Sequence, residues 1–196
     1  MKFVSLSDRF FIPLALLIVA AIIWGALQYR PAGQDPVVSD DRLVIEGSAL
    51  AQLIPGPGTE VVFDPAAPGG PVARATATSS LEASGTLSAG VGAVVPAVFE
   101  TAVIGQSIEL AVSLRSSDPE LNEVAIGYFV VGDGDTGWRT LQIPADGSPL
   151  ILRHTIPATA PRGNNDWIGI WPDTAGAGRG VVIERLEVTI LSGDDA

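Results

Sequence analysis

Two hydrophobic patterns divide this chain. Residues 10–27, FFIPLALLIVAAIIWGAL, carry no charged or strongly polar side chain, so a helix built from them has no wet face. At roughly 1.5 Å per residue the run reaches about 27 Å, close to the hydrocarbon thickness of a bilayer, and it predicts a transmembrane helix over residues 10–29. Pro13 falls in the first turn, where its missing N–H matters least, and Trp24 and Tyr29 suit the interfacial aromatic belt. A cleaved signal peptide is the competing reading. Its apolar core is usually shorter and ends at small residues, whereas Trp24 is bulky, so an uncleaved signal anchor is expected. Lys2 and Arg9 precede the span, and Arg30 beyond it is followed by Asp35, Asp40 and Asp41. The positive-inside rule then places residues 1–9 in the cytoplasm.

After the span the period changes. Residues 30–42, RPAGQDPVVSDDR, are polar with two prolines and read as a linker. From residue 43 short apolar alternations are separated by Gly, Pro and Asp clusters, and no helical stripe of any length follows. Strands are expected at 43–46, 60–63, 72–78, 92–100, 107–115, 123–131, 138–143, 150–156, 166–171 and 181–191. PGPG at 55–58 and DPAAPGGP at 64–71 read as loops. In the 107–115 strand Ile108, Leu110, Val112 and Leu114 share one face. In the closing strand Leu186, Val188 and Ile190 do the same, with Arg185, Glu187 and Thr189 opposite. Burying all such rows needs two sheets face to face. The fold class is therefore all-β: an antiparallel two-sheet β-sandwich over 43–191, preceded by one N-terminal transmembrane helix and followed by a tail at 192–196.

Composition narrows the chemistry. The chain of 196 residues has no cysteine and one histidine, which removes thiolate chemistry, disulfides and multi-histidine metal sites. Residues 31–196 hold 8 arginines and no lysine against 21 acidic residues, a net of −13. Such a surface repels phosphates, so no nucleic-acid partner is expected, and it would not adsorb to anionic head groups. Attachment to the membrane falls to the N-terminal helix alone. The expected location is the inner (cytoplasmic) membrane, single-pass, with the C-terminal domain periplasmic or extracellular.

Of the motifs, GDGDTG at 132–137 matches the dinucleotide fingerprint formally. It opens into WRTLQIP, a strand-like alternation, and Asp133 and Asp135 would repel phosphates, so a hairpin turn is the better reading. His154 alternates with Leu150, Leu152 and Ile156 and reads as a hydrogen-bonded, half-buried histidine. No G-x-S-x-G elbow or Walker loop exists. Neither a catalytic residue, a cofactor nor a metal is therefore assigned, and the protein is expected not to be an enzyme. The aromatic residues point elsewhere. Alternation puts Ile168 and Ile170 on one face and Trp167, Gly169 and Trp171 on the other, with Trp138 on the side of Thr140 and Gln142. Flat indoles flanked by Arg139, Arg162, Asn164, Asn165 and Asp166 offer a sugar ring both stacking and hydrogen bonds. Burial of the same indoles as packing is the alternative.

The order GQSIELAVSLRS, a Gly/Asp hairpin into GWRTLQIP, LILRHTIPA and a closing GVVIERLEVTIL resembles the jelly-roll of galactose-binding-like and carbohydrate-binding-module domains. In such domains the closing strand often carries a paired-Asp element. This chain reads Glu184, Arg185, Leu186 there, so no structural calcium is carried over. The resemblance implies a non-catalytic domain that binds a glycan or polysaccharide at the cell envelope. The alternative is a structural accessory subunit whose sandwich docks onto a membrane-protein partner, in an envelope-polymer synthesis or export complex.

Overall fold

The structure, a computed structural model, describes residues 8–28, 35–86, 88–130, 134–161 and 166–192. It comprises two compact units, residues 1–32 and 33–196. The first holds helix α1, Asp8–Gln28, of 21 residues with Pro13 inside it. Its side chains are described over residues 12–24, where Leu14, Leu17, Ile18, Ile22 and Trp24 are all exposed. Among the described residues no helix is long and apolar enough to cross a membrane.

The second unit is an all-β sandwich of antiparallel strands in two layers. One layer has seven strands: β1 (Val37–Val38), β2 (Arg42–Glu46), β4 (Thr59–Asp64), β5 (Val72–Ala77), β7 (Ser107–Ser116), β10 (Leu150–Thr155) and β12 (Gly180–Ile190). The long β12 is its spine. It pairs β7 along one side, and along the other β5 first and β2 afterwards. Val181 and Ile183 face the core in its first half, Leu186 and Val188 in its second. Odd positions give way to even ones, which a regular strand forbids. A register shift between Ile183 and Arg185 supplies the extra residue, leaving Glu184 outside.

The opposing layer joins β8 (Glu123–Phe129), β9 (Arg139–Gln142) and β11 (Trp167–Trp171) in the order β11-β8-β9. Beside β11 runs β6 (Val91–Val94), paired in turn with β3 (Ile54–Pro55). A parallel bridge from Gly90 to Ile170 and a 2.8 Å bond from Val95 N–H to Asp166 O tie β6 to β11. Inner rows from both layers fuse into one core. Leu43, Leu110, Val112 and Val188 come from the first, Ile126, Tyr128, Ile168 and Ile170 from the second.

Three segments differ from the sequence reading, the first being Val37–Val38, read as linker but paired with β2 as strand β1. The strand expected over 92–100 stops at Val94, and after the one-turn α2 (Leu81–Ser84) earlier in the chain a second short helix, α3 (Ala97–Val103), follows it. Pro96 caps this helix at φ −61° and supplies no N–H to a strand ladder, while Phe99 and Val103, four apart, face inward. Two turns are too short to show a period. The PGPG segment, read as loop, contributes Pro55 to β3, an edge strand with no partner on its outer side among the described residues.

The outer face of the seven-stranded layer carries cross-strand ion pairs. Arg42 pairs with Glu187, Arg185 bridges Glu187 (2.7 Å) and Glu46 (2.8 Å), Arg153 meets Glu109 (2.9 Å) and Arg115 meets Glu184 (3.1 Å). These exposed pairs contribute little stability each but keep that face wet. Asp173, fully buried, organises the turn between β11 and β12. It accepts from the amides of Ala175 (3.2 Å), Ala177 (2.8 Å) and Arg179 (3.2 Å) and pairs with the Arg179 guanidinium at 2.8 Å. Burial works to raise its pKa, but these bonds outweigh it and hold it below the usual carboxylate range. Asp173→Ala, which strands three amides, is expected to cost on the order of 2–4 kcal/mol in urea unfolding. In the parent protein the Asp173 contribution is present above the unfolded carboxylate pKa and is lost as pH falls through the depressed folded value, so the variant's deficit should shrink in acid.

Candidate functional site

The outer face of the second layer is built differently from that of the first. Register pairs Trp167 with Phe129, Gly169 with Gly127, and Trp171 with Ala125, which in turn faces Thr140. Two strands thus present small residues in the middle of the face and aromatic ones toward its ends. A Cβ at Gly169 would lie 2.6 Å from the Ala89 carbonyl oxygen, 2.7 Å from the Phe129 ring and 2.9 Å from the Trp138 indole. At Gly92 it would lie 2.9 Å from Trp167. Rings and the Ala89 backbone therefore rest directly on bare sheet, an approach any side chain would block.

Trp138 lies across this floor. Its Nε1–H donates to the Gly85 carbonyl at 2.9 Å, and its ring stands edge-on to Phe129 (centroids 4.9 Å, 64°) and to Trp171 (5.8 Å, 82°). Trp171 consequently sits beneath it with 0% exposure. Trp167, Phe129 and Trp138 stay half-buried and line a groove made of two adjoining pockets that meet at Phe129 and Ala89. One half, about 220 Å³, lies between Trp167, Phe129 and the Ile54–Pro55 edge. The other, about 510 Å³, lies between Phe129, Trp138, Thr86, Ser88 and Asp135. Phe129 and Ala89 belong to both.

The loop carrying Asp135 is pinned from beneath. Thr136 Oγ1 accepts from Tyr128 N–H at 2.8 Å and lies 2.7 Å from the Gly137 carbonyl, and Gly137 N–H donates to Asp135 Oδ1 at 2.9 Å. His154, half-buried as expected, donates its Nε2–H to the Gly134 carbonyl at 2.7 Å. The described part of GDGDTG connects two antiparallel strands, β8 and β9, with Gly134 and Gly137 at positive φ. It opens no helix.

Of the residues expected at the site, Trp138 and Trp167 line the groove. Trp171 does not: covered by Trp138 and packed against Ala77 and Ala125, it is a core residue with no face for a ligand. Asp166 is likewise corrected from rim to interior, 2% exposed, with its Oδ2 accepting from the Tyr128 hydroxyl at 3.0 Å. Arg139 is exposed but pairs with Ile126 in register, on the side opposite Thr140, and is not a groove residue. Arg162, Asn164 and Asn165 lie outside the described residues. The reading missed Phe129, the centre of the groove. Its signal was the alternation Ala125, Gly127, Phe129, parallel in kind to Trp171, Gly169, Trp167.

No protein-family model matches this chain, and no curated protein does. Among solved structures it is similar to the CBM22-1 xylan-binding domain of Paenibacillus barcinonensis Xyn10C, at 11% identity over 72% of this chain and 86% of that one, with a TM-score of 0.43. It is also similar to a CBM4 structure, at 12% identity over 82% and 97% (TM-score 0.43). A third is the second N-terminal cellulose-binding domain of Cellulomonas fimi β-1,4-glucanase C, at 12% over 82% of each (TM-score 0.32). The first two carry the label CBM and the third is named a cellulose-binding domain. What the groove can hold follows from its own side chains.

Beneath the groove, Asp166 is a charged group in an unfavourable place. Burial raises its pKa, the Tyr128 hydrogen bond lowers it, and the charge of Glu100 raises it further, to about 6; its Oδ1 has no hydrogen-bond partner. The folded value lies above the unfolded one. Its stability contribution is therefore full below about pH 4 and is lost as pH rises through 6. Asp166→Asn keeps an oxygen for Tyr128 and is expected to stabilise the domain at pH 8 by about 2 kcal/mol, with no gain at pH 4. Urea midpoints of both proteins across that range check this; a variant less stable at pH 8 would contradict it.

Proposed function

We propose that this chain is a membrane-anchored, non-catalytic envelope protein whose exported sandwich binds a glycan in the groove formed by Trp167, Phe129 and Trp138. The observation that carries the reading is the groove itself: half-buried aromatic rings on a glycine floor, bounded by Ser88, Thr86 and Asp135. A pyranose ring has C–H faces that pack against aromatic carbon and hydroxyls around its rim that need hydrogen-bonding partners. Walls of rings with a polar border answer both needs.

The anchor belongs to the same proposal. Residues 10–27 are apolar throughout, and α1 presents bare hydrophobic side chains around its circumference. The N-terminus stays in the cytoplasm and the sandwich lies in the periplasm or outside the cell. The alternative, a scaffold docking onto a membrane-embedded polymer synthesis or export complex, draws support from the burial of Trp171 but leaves the exposed groove unexplained.

Full-length protein, held in a polyoxyethylene detergent that carries no sugar, should bind one class of oligosaccharide saturably by calorimetry. Trp167→Ala should weaken that binding about tenfold while near-UV circular dichroism keeps its folded form. Absence of binding across neutral and acidic oligosaccharides would move the reading to the docking scaffold. In cell fractions the full chain should stay with membranes after alkaline carbonate extraction, and a chain lacking residues 1–30 should be released; a full chain released by carbonate would remove the anchor.

A further inference from the structure

Charge around the groove is one-sided. Asp135 is the ionisable side chain lining it among the described residues. Its carboxylate is exposed and held in place, because Gly137 N–H binds Oδ1, Thr136 is buried beneath, and His154 fastens Gly134. A carboxylate on a free loop could swing aside to admit an anion. This one is fixed beside Trp138, Ser88 and Thr86.

Among the described residues, which do not include Arg162, nothing near it compensates. Arg42, Arg74, Arg115, Arg153, Arg179 and Arg185 are each engaged by a carboxylate, on the other layer or at the β11–β12 turn. Arg139 lies off the groove, and residues 31–196 contain no lysine. An acidic sugar settling on Phe129 and Trp138 would meet a like charge within a few ångströms. In a partly desolvated cleft, such a contact disfavours binding by an order of magnitude or more.

We infer that Asp135 makes the groove selective for uncharged glycans, excluding chains that carry carboxylate or phosphate at the sugar in contact with Trp138. The inference rests on the groove being a glycan site. It assigns to one residue a discrimination that the aromatic rings cannot make, since they stack on neutral and acidic sugars alike.

The test uses full-length protein in the same sugar-free detergent. Neutral β-glucan, mannan and galactan fragments are titrated beside the same fragments oxidised at C6 to uronates, at low salt. The parent protein should prefer the neutral form of whichever fragment it binds by at least tenfold, and added salt should narrow that gap through screening. Asp135→Asn keeps the acceptor for Gly137 N–H and removes the charge. Whatever it does to neutral binding through its changed rim, the ratio of uronate to neutral affinity should rise about tenfold and depend less on salt. A ratio that does not change, or a parent protein that binds uronates as tightly as neutral fragments, overturns the role of Asp135 and leaves the groove a glycan site. Silence toward every fragment, in parent and variant, overturns the glycan reading and this inference with it.

Discussion

The groove depends on the close approach permitted where β6, β8 and β11 lack side chains. With Cβ atoms at Gly169 and Gly92, the Ala89 backbone and the rings of Phe129, Trp138 and Trp167 could not reach the sheet. Excluding one carbon at each point turns a strand surface into a floor. The same approach lets Trp138 cover Trp171, so one indole is half-exposed because another is fully buried. Site and packing are thus two consequences of a single steric fact.

The sandwich treats its two outer faces in opposite ways. Six arginines and their carboxylate partners occupy the seven-stranded layer and the β11–β12 turn, hydrating that side and consuming nearly all the positive charge of the described domain. The groove on the other face keeps aromatic carbon and a border of hydroxyls with, among the described residues, a single fixed carboxylate. Structural pairing therefore shapes binding at a distance: guanidinium groups used to knit strands together are not available to neutralise a ligand. Between the faces lies an apolar core that takes in two carboxylates, Glu100 and Asp166, the second held by Tyr128 and opposed by the charge of the first.

Much of the architecture was legible in the residues. Period-two alternation gave β7, β10, β11 and the second half of β12 nearly to the residue, because a half-buried strand writes its inside and outside into consecutive positions. Even the β12 irregularity is visible in GVVIERLEVTI, where the apolar positions change parity across Glu184 and Arg185. Helix α3 was not visible, since two turns after a proline look like the end of a strand. Trp138 and Trp167 were found because indoles on an alternating face are conspicuous. Phe129 was passed over, because its value comes from lying opposite Trp167, and pairing between β8 and β11 is a long-range fact.

Sequence by itself determined the two-part division of this chain, the sandwich class, the acid surface and the absence of thiol chemistry, since each follows from composition or local period. Tertiary structure decided which tryptophans face outward, that Asp166 is interior, that Phe129 and Asp135 share a groove, and where the arginines spend their charge. Those outcomes turn on which strand lies beside which and on what loop covers a face. Alternation assigns a side chain to one of two sides of a strand; only packing determines whether that side meets solvent, another ring or the core.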